Sequence, residues 1–345
     1  MKRLGLLACV LLLSVASTYA AEEQAVQGYL LRAQLLTTQF RFDEAERVYE
    51  SAAEAAPESF NVHFAFGYFC YNLNRFSQAR MEFTQALELA RRSGSSRDVA
   101  MTLNNLGILD ESQNRLEEAR QHYEEALKAY RQLAQQNPEA YLPHVAATLN
   151  NLGTLDAAQN RLEEARQHNE EALKKYRQLA QQNPEAYLPH VATTLNNLGN
   201  LGQAQNRLKE ARQHHEEALK IRRQLAEQNR EAYVPHVAAT LNNLGTLDEA
   251  QNRPEEARQH YEEALKTYRQ LAQQNREAYL PHVATTLNNL GTLDEAQNRA
   301  EEARQHYEEA LKVYGEISKR EPATYSGEIE RIQAQLLGLP TGPAR

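Results

Sequence analysis

Histidine is the residue type best suited to chemistry in this 345-residue chain, and its placement is regular. His122, His168, His214, His260 and His306 recur every 46 residues, as do His144, His190, His236 and His282. A zinc site would need three or four such rings converging on one ion at about 2.1 Å. Copies one repeat apart belong to successive helix pairs packed about 8–10 Å apart, too far for two rings to share a metal. His214 and His215 are adjacent, and neighbours on a helix point about 100° apart. The spacing predicts structural histidines and no metal centre. Catalysis has less support still. No Gly-rich phosphate loop, Gly-x-Ser-x-Gly or His-Glu-x-x-His occurs, and paired acids such as Glu117-Glu118 and Glu124-Glu125 are sequence neighbours on an exposed helix face. No enzyme and no cofactor is expected.

The histidines owe their spacing to a 46-residue unit that first spans Val99 to His144 and restarts at Val145, Val191, Val237 and Val283. Self-similarity at a fixed period is the mark of a solenoid, whose units bury their apolar faces only by stacking. In the first unit Leu103, Leu106 and Gly107 share one helical face, with Leu109 beside it. A glycine inside a helix costs about 1 kcal/mol against alanine, so Gly107 and its four copies predict close packing on the adjoining helix. Asn114, tolerant of left-handed backbone angles, is the expected stop. Glu117 and Glu118 open a second helix, whose apolar stripe is Leu116, Ala119, Tyr123, Ala126, Leu127, Tyr130 and Leu133. Asn137-Pro138 is expected to end it; a linker follows, and Pro143 suits the first turn of the next helix.

The pattern Leu103…Leu106-Gly107…Ala119…Tyr123…Ala126 resembles the tetratricopeptide repeat, which places small residues at its eighth, twentieth and twenty-seventh positions. Ala45, Tyr49, Ala52 and Pro57 fit one ordinary unit, and Gly67, Ala79, Phe83 and Ala86 the next, with 34 residues from Ala45 to Ala79. From Ala119 the small residue recurs every 46, at Ala165, Ala211, Ala257 and Ala303. The Leu-Asn-Asn-Leu-Gly signature and long second helix are similar to the kinesin-light-chain-type subclass. The resemblance covers about residues 27–314 and implies an all-α fold, a right-handed superhelical solenoid of helix-turn-helix repeats. The expected organisation is a signal peptide over 1–20, two 34-residue-type units over 21–95, five 46-residue units over 96–314, and a capping helix with a tail over 315–345. Ile329, Ile332, Leu336 and Leu337 give that cap an apolar face, with Ser326 as N-cap. The chain departs from the family pattern at the fourth position, Leu103, and at the eleventh, where Asp110, Asp156, Gly202, Asp248 and Asp294 replace an aromatic residue.

The resemblance also implies a site. In tetratricopeptide proteins a stripe of the first helix lines a concave groove that receives peptides. Carried onto this chain, the stripe holds a ladder of Asn104, Asn150, Asn196, Asn242 and Asn288. Beside it run Thr154, Asn200, Thr246 and Thr292, with Glu111, Gln203, Glu249 and Glu295 further along. An Asn amide both donates to a carbonyl and accepts from an N–H, so such a ladder can hold an extended chain largely without reading its sequence. The competing reading is that these residues were copied along with the rest of a duplicated unit. The second Asn of each pair, Asn105 and its equivalents, is expected to bridge helices. The unit from Val191 to His236 breaks the pattern with Asn200, Gly202, Lys209, His215 and Arg222, and Asn169 replaces a tyrosine in the unit before. A buried Tyr removes about 200 Å² from water, so a weaker core is expected around residues 169–222. A specialised contact at Asn200 and Arg222 is the alternative.

With 38 basic against 46 acidic residues the net charge is −8. Phosphate backbones and anionic lipid repel such a body, so neither nucleic acid nor a membrane surface is an expected partner. Lys2 and Arg3, the apolar stretch Leu4 to Val15 and Thr18-Tyr19-Ala20 predict a secretory signal peptide, and with it an exported bacterial protein, periplasmic or secreted. The apolar stretch would span about 18 Å as a helix, short of the roughly 30 Å hydrocarbon core, so no membrane insertion of the mature chain is expected. Leu6-Leu7-Ala8-Cys9 superficially resembles a lipoprotein box, but only eight residues precede Cys9, and the signal anatomy argues against lipidation. Cys70 reads as a small buried hydrophobe. The expected function is a non-catalytic exported scaffold or adaptor that binds a peptide or protein segment in the groove. The rivals are a structural spacer or self-associating repeat array and, more remotely, a histidine-rich metal binder.

Overall fold

The computed structural model describes residues 24–319 and 324–340, and among them every regular element is an α-helix. The signal segment, Cys9 and the tail after Pro340 lie outside the described residues. The chain divides after Gln159 into two units. The first contains α1 (24–38), α2 (Phe42–Ala55), α3 (Phe60–Asn72), α4 (Phe76–Ser93), α5 (Ser96–Ser112), α6 (Leu116–Gln136) and α7 (Pro138–Ala158). The second contains α8 (Leu162–Gln182), α9 (Pro184–Ala204), α10 (Leu208–Gln228), α11 (Arg230–Ala250), α12 (Pro254–Gln274), α13 (Arg276–Ala296), α14 (Ala300–Ile317) and α15 (Ser326–Gly338). From α2 on, a helix within each unit packs on the next, and the first helices of successive repeats also touch, α5 with α7 and α9 with α11. Each unit is a stack of helix-turn-helix repeats.

The 46-residue period has a simple composition: two 21-residue helices such as α9 and α10, the turn Gln205-Asn206-Arg207, and the single residue Asn229. This corrects the expected linker. Asn137 ends α6 and at once starts α7, its side chain accepting from Ala140 N at 3.2 Å, with Pro138 in the first turn. Pro143 therefore lies inside α7, and Pro189, Pro235 and Pro281 lie inside α9, α11 and α13. A proline there removes one main-chain hydrogen bond. The carbonyl it strands belongs to Glu139 or its equivalents at the exposed helix start, where water can serve it.

The turns are closed by asparagine. Asn74, Asn114, Asn206, Asn252 and Asn298 all adopt φ between 55° and 58°, the left-handed region that short polar side chains tolerate. The glycine expected to allow close packing does so. A Cβ on Gly107 would stand 2.6 Å from the Tyr123 ring, and on Gly245 or Gly291 2.5 Å from Tyr261 or Tyr307. Around these contacts the core is built from fully buried alanines and leucines, among them Ala119, Ala126, Leu103 and Leu149 in the first unit.

In the second unit α15 packs on α14 and buries Ile332 completely. Two details of the expected cap change. Tyr325, and not Ser326, occupies the N-cap, and Leu337 is 88% exposed because it lies on the opposite side of α15 from Ile332. Cys70 is buried among the aromatic side chains of α3, as its sequence neighbours suggested.

Candidate functional site

The ladder residues fall on the first helices, and within each unit they are tied to their neighbours. Asn104 Oδ1 accepts from Thr148 Oγ1 at 3.0 Å and from Asn151 Nδ2 at 3.5 Å. Asn196 Oδ1 accepts from Asn243 Nδ2 at 3.1 Å, and Asn242 Oδ1 from Asn289 Nδ2 at 3.4 Å. The second Asn of a pair thus bridges to the first Asn of the preceding repeat. Asn105 is the exception and donates to Met101 O in its own helix, because the preceding repeat carries Phe64 where an acceptor would be needed. Asn288, the last of the ladder, is buried and its Oδ1 has no partner.

The flanking residues divide by role. Thr154, Thr246 and Thr292 return their hydroxyls to the carbonyls of Asn150, Asn242 and Asn288, and Thr154, Asn200 and Thr246 are exposed. Glu111, Glu249 and Glu295 accept from the hydroxyls of Tyr123, Tyr261 and Tyr307, at 2.8, 2.5 and 2.9 Å. Gln203 is the counterpart of these acids in the repeat where His215 replaces the tyrosine. The stripe is therefore a polar surface whose carboxylates are partly committed to the core and whose amide oxygens are partly committed to the stack.

One constellation escaped the sequence reading. The aspartates at the eleventh position are fully buried and act as clamps between repeats. Asp110 takes Arg80 from the preceding second helix and His122 Nδ1 from its own, the latter at 2.7 Å. Asp248 does the same with Arg212 and His260, and Asp294 with Arg258 and His306. Asp156 takes Arg120. Burial alone would raise these carboxyls, but hydrogen bonds from His and Arg hold Asp110, Asp248 and Asp294 below the usual carboxylate range. The signal was present, since Arg, Asp and His each recur every 46 residues, but pairing them requires knowing which helices touch.

The other histidine ladder is aromatic packing. His144, His190 and His282 stack on Tyr130, Tyr176 and Tyr268 at ring separations of 4.9–5.0 Å, and burial pushes their imidazoles down. Among the described residues no group of three or more His, Cys, Asp or Glu side chains is placed to hold a metal ion, and no helix is long and apolar enough to cross a membrane.

The divergent repeat is unsatisfied inside. His215 is fully buried against Gly199, and neither ring nitrogen has a partner. His214 has Gly202 where its counterparts have aspartate, and its buried Nδ1 is likewise unpartnered. In the repeat before it, Asn169 is buried with its Oδ1 unmet.

Comparison with known proteins agrees with this geometry. A family model described as a MalT-like TPR region matches residues 28–190, and tetratricopeptide repeat models match 191–229, 223–270 and 269–316. No curated protein matches the sequence. Among solved structures, PilF of Pseudomonas aeruginosa is similar at 20% identity and TM-score 0.50, over 74% of this chain and 94% of that one. BtubC from P. vanneervenii gives 22% identity and TM-score 0.50 over 79% and 94%. PilW, described as a type IV pilus biogenesis factor, gives 16% identity and TM-score 0.52 over 69% and 91%. At these identities the likeness is one of fold. The chain belongs to the tetratricopeptide repeat family.

Proposed function

We propose that this protein is a non-catalytic, exported scaffold that holds an extended peptide or protein segment along its first-helix stripe. Tetratricopeptide repeats serve as protein-interaction scaffolds, and one observation favours this stripe as the contact. Along α9, α11 and α13 it presents half-buried Asn196 and Asn242 beside exposed Asn200, Thr246 and Thr292, an amide and hydroxyl surface bordered by Glu249 and Glu295. Such a surface hydrogen-bonds a peptide backbone without demanding a particular side chain. Export is supported by the basic start, apolar stretch and small-residue cleavage pattern of residues 1–20. The second reading is a structural spacer, favoured by the use of amide oxygens within the stack.

The test is a pull-down from the organism's own envelope and secreted fractions, with wild type and a variant carrying Ala at Asn104, Asn150, Asn196, Asn242 and Asn288. Loss of partners with retained helicity supports the groove. Unchanged partners favour the spacer. Fractionation of a tagged chain tests export.

A further inference from the structure

His63 is the one histidine outside the long repeats, and it takes the place of Leu103, Leu149, Leu195, Leu241 and Leu287. Its partner Glu82, on α4, stands at the register of His122, and Cys70 stands at that of Asp110. Base and acid have thus exchanged helices relative to the later clamps. Both side chains are buried, His63 at 8% and Glu82 at 5% exposure.

Acceptors hold the ring on both sides. Nδ1 lies 2.7 Å from Glu82 Oε2, and Nε2 lies 2.9 Å from the carbonyl oxygen of Pro57 in the α2–α3 turn. A neutral imidazole carries one N–H and one lone pair, so it can donate to only one of these oxygens. The imidazolium donates to both. Glu82 Oε1 accepts from Gln78 Nε2 at 2.8 Å, and among the described residues no arginine or lysine pairs with this carboxylate. Asp110, Asp248 and Asp294 differ, because each has an arginine that keeps its charge when the histidine loses its own. The charge balance of the His63–Glu82 pair depends on one titratable proton.

The acids that reach the ring are Glu82 from α4 and Glu58 from the α2–α3 turn, the latter exposed and paired with Arg92 at 2.7 Å. The Glu82 hydrogen bond, helped by Pro57 and Glu58, outweighs burial and holds the imidazole above its ordinary value. Loss of the proton sets a lone pair against Glu82 or Pro57 and leaves a buried carboxylate without a counter-charge.

We propose that His63 and Glu82 form a proton-held latch, tying the α2–α3 turn to α4, that releases as pH rises above neutrality. The latch is independent of the groove. A group that binds its proton more tightly when folded stabilises fully below its unfolded value, about 6.5 for histidine. That contribution is lost as pH rises through the folded value. The repeat built on α3 and α4 is therefore firm in mildly acidic surroundings and loosens in mildly alkaline ones, whereas the aspartate clamps fail toward acid.

The test uses the full chain with labelled histidine rings. NMR follows each imidazole from about pH 5 to about pH 9, with His63 assigned by its loss in His63→Leu, the residue the long repeats use there. His63 is expected to carry protons on both nitrogens at neutral pH, where the stacked His144, His190 and His282 are neutral. A His63 ring with a single proton at neutral pH overturns the latch. Hydrogen exchange reads the release. Across residues 56–64 and 76–84 the opening equilibrium is expected to rise by up to about tenfold per pH unit above about pH 6.5. That rise is counted beyond the base catalysis of exchange, with α6 as the reference. Glu82→Gln keeps the shape, removes the carboxylate, and is expected to return His63 to or below its ordinary value and to abolish the rise. It also assigns His63, by that shift, should His63→Leu fail to fold. Flat protection over this pH range in wild type, or an equal rise in Glu82→Gln, overturns the proposal.

Discussion

His260 Nδ1 lies 2.7 Å from a carboxylate oxygen of Asp248, whereas His214, its counterpart one repeat earlier, has Gly202 in that place and a buried, unpartnered Nδ1. The arginine that would complete the clamp, Arg166, pairs instead with Glu170 and Glu210. Gly202→Asp is expected to rebuild the clamp and remove a helix-interior glycine. The new Cβ must settle 3.2 Å from Ala211 Cβ and 3.3 Å from the Ala211 backbone, opposite the same alanine that faces an aspartate in the other long repeats. A gain of about 1–2 kcal/mol in urea unfolding is expected. An unchanged or lowered midpoint would count against it.

Removing a clamp should do the reverse. Asp248→Ala strands Arg212 and His260 beside a buried cavity, at a cost of about 3 kcal/mol. The clamp also sets the acid limit. Asp110, Asp248 and Asp294 bind their protons more weakly folded than unfolded. Their contribution is therefore complete above the unfolded carboxylate range, near pH 4, and is lost as pH falls through the folded values. Acid titration followed by circular dichroism should show a shallower loss below about pH 4 in the variant than in wild type.

His215 titrates with the opposite origin. Burial, helped by His214 and Arg222, pushes its imidazole down to about 4. The unfolded chain then binds the proton first, so stability falls as pH drops from about 6.5 toward 4. Between pH 7 and pH 5 this single group should cost about 2 kcal/mol. His215→Tyr, which restores the residue found at Tyr123, Tyr261 and Tyr307, should raise stability at neutral pH and flatten that slope. A variant that keeps the full slope would assign the pH dependence to other groups.

The buried unmet atoms of Asn169, His214 and His215 lie within one stretch of the second unit. Native-state hydrogen exchange should find residues 169–222 opening at lower free energy than α11 to α14. Uniform protection across the second unit would remove the idea of a weak repeat.

Much of this fold was legible in one sequence because identical units repeat the same signals. Gly107 pointed to a tight helix contact, Asn114 to a left-handed turn, and Tyr123 to the core. Pro143 misled, since a proline six residues into a helix reads as a boundary; Asn137 overrides it by ending one helix and capping the next. Asp110 misled in another way. It registered only as a departure from an expected aromatic position, and the approach of Arg80 from the neighbouring repeat explains its burial. The stripe residues lie on the first helices as expected, but their hydrogen bonds to the next repeat depend on the offset between first helices, which no single unit encodes.

The amide bridges of the stripe carry an arrow. Within each unit the oxygen of one asparagine is satisfied by a donor from the repeat that follows, never by the one before. Each bridged asparagine is completed by the repeat that follows, and Asn288, the last of the ladder, is buried with a bare oxygen. Trimming repeats from the carboxyl side would leave a new bare acceptor at every cut. Trimming from the amino side would free amide donors but would also strip the arginine from the next buried aspartate, so the two ends of the array are unlike.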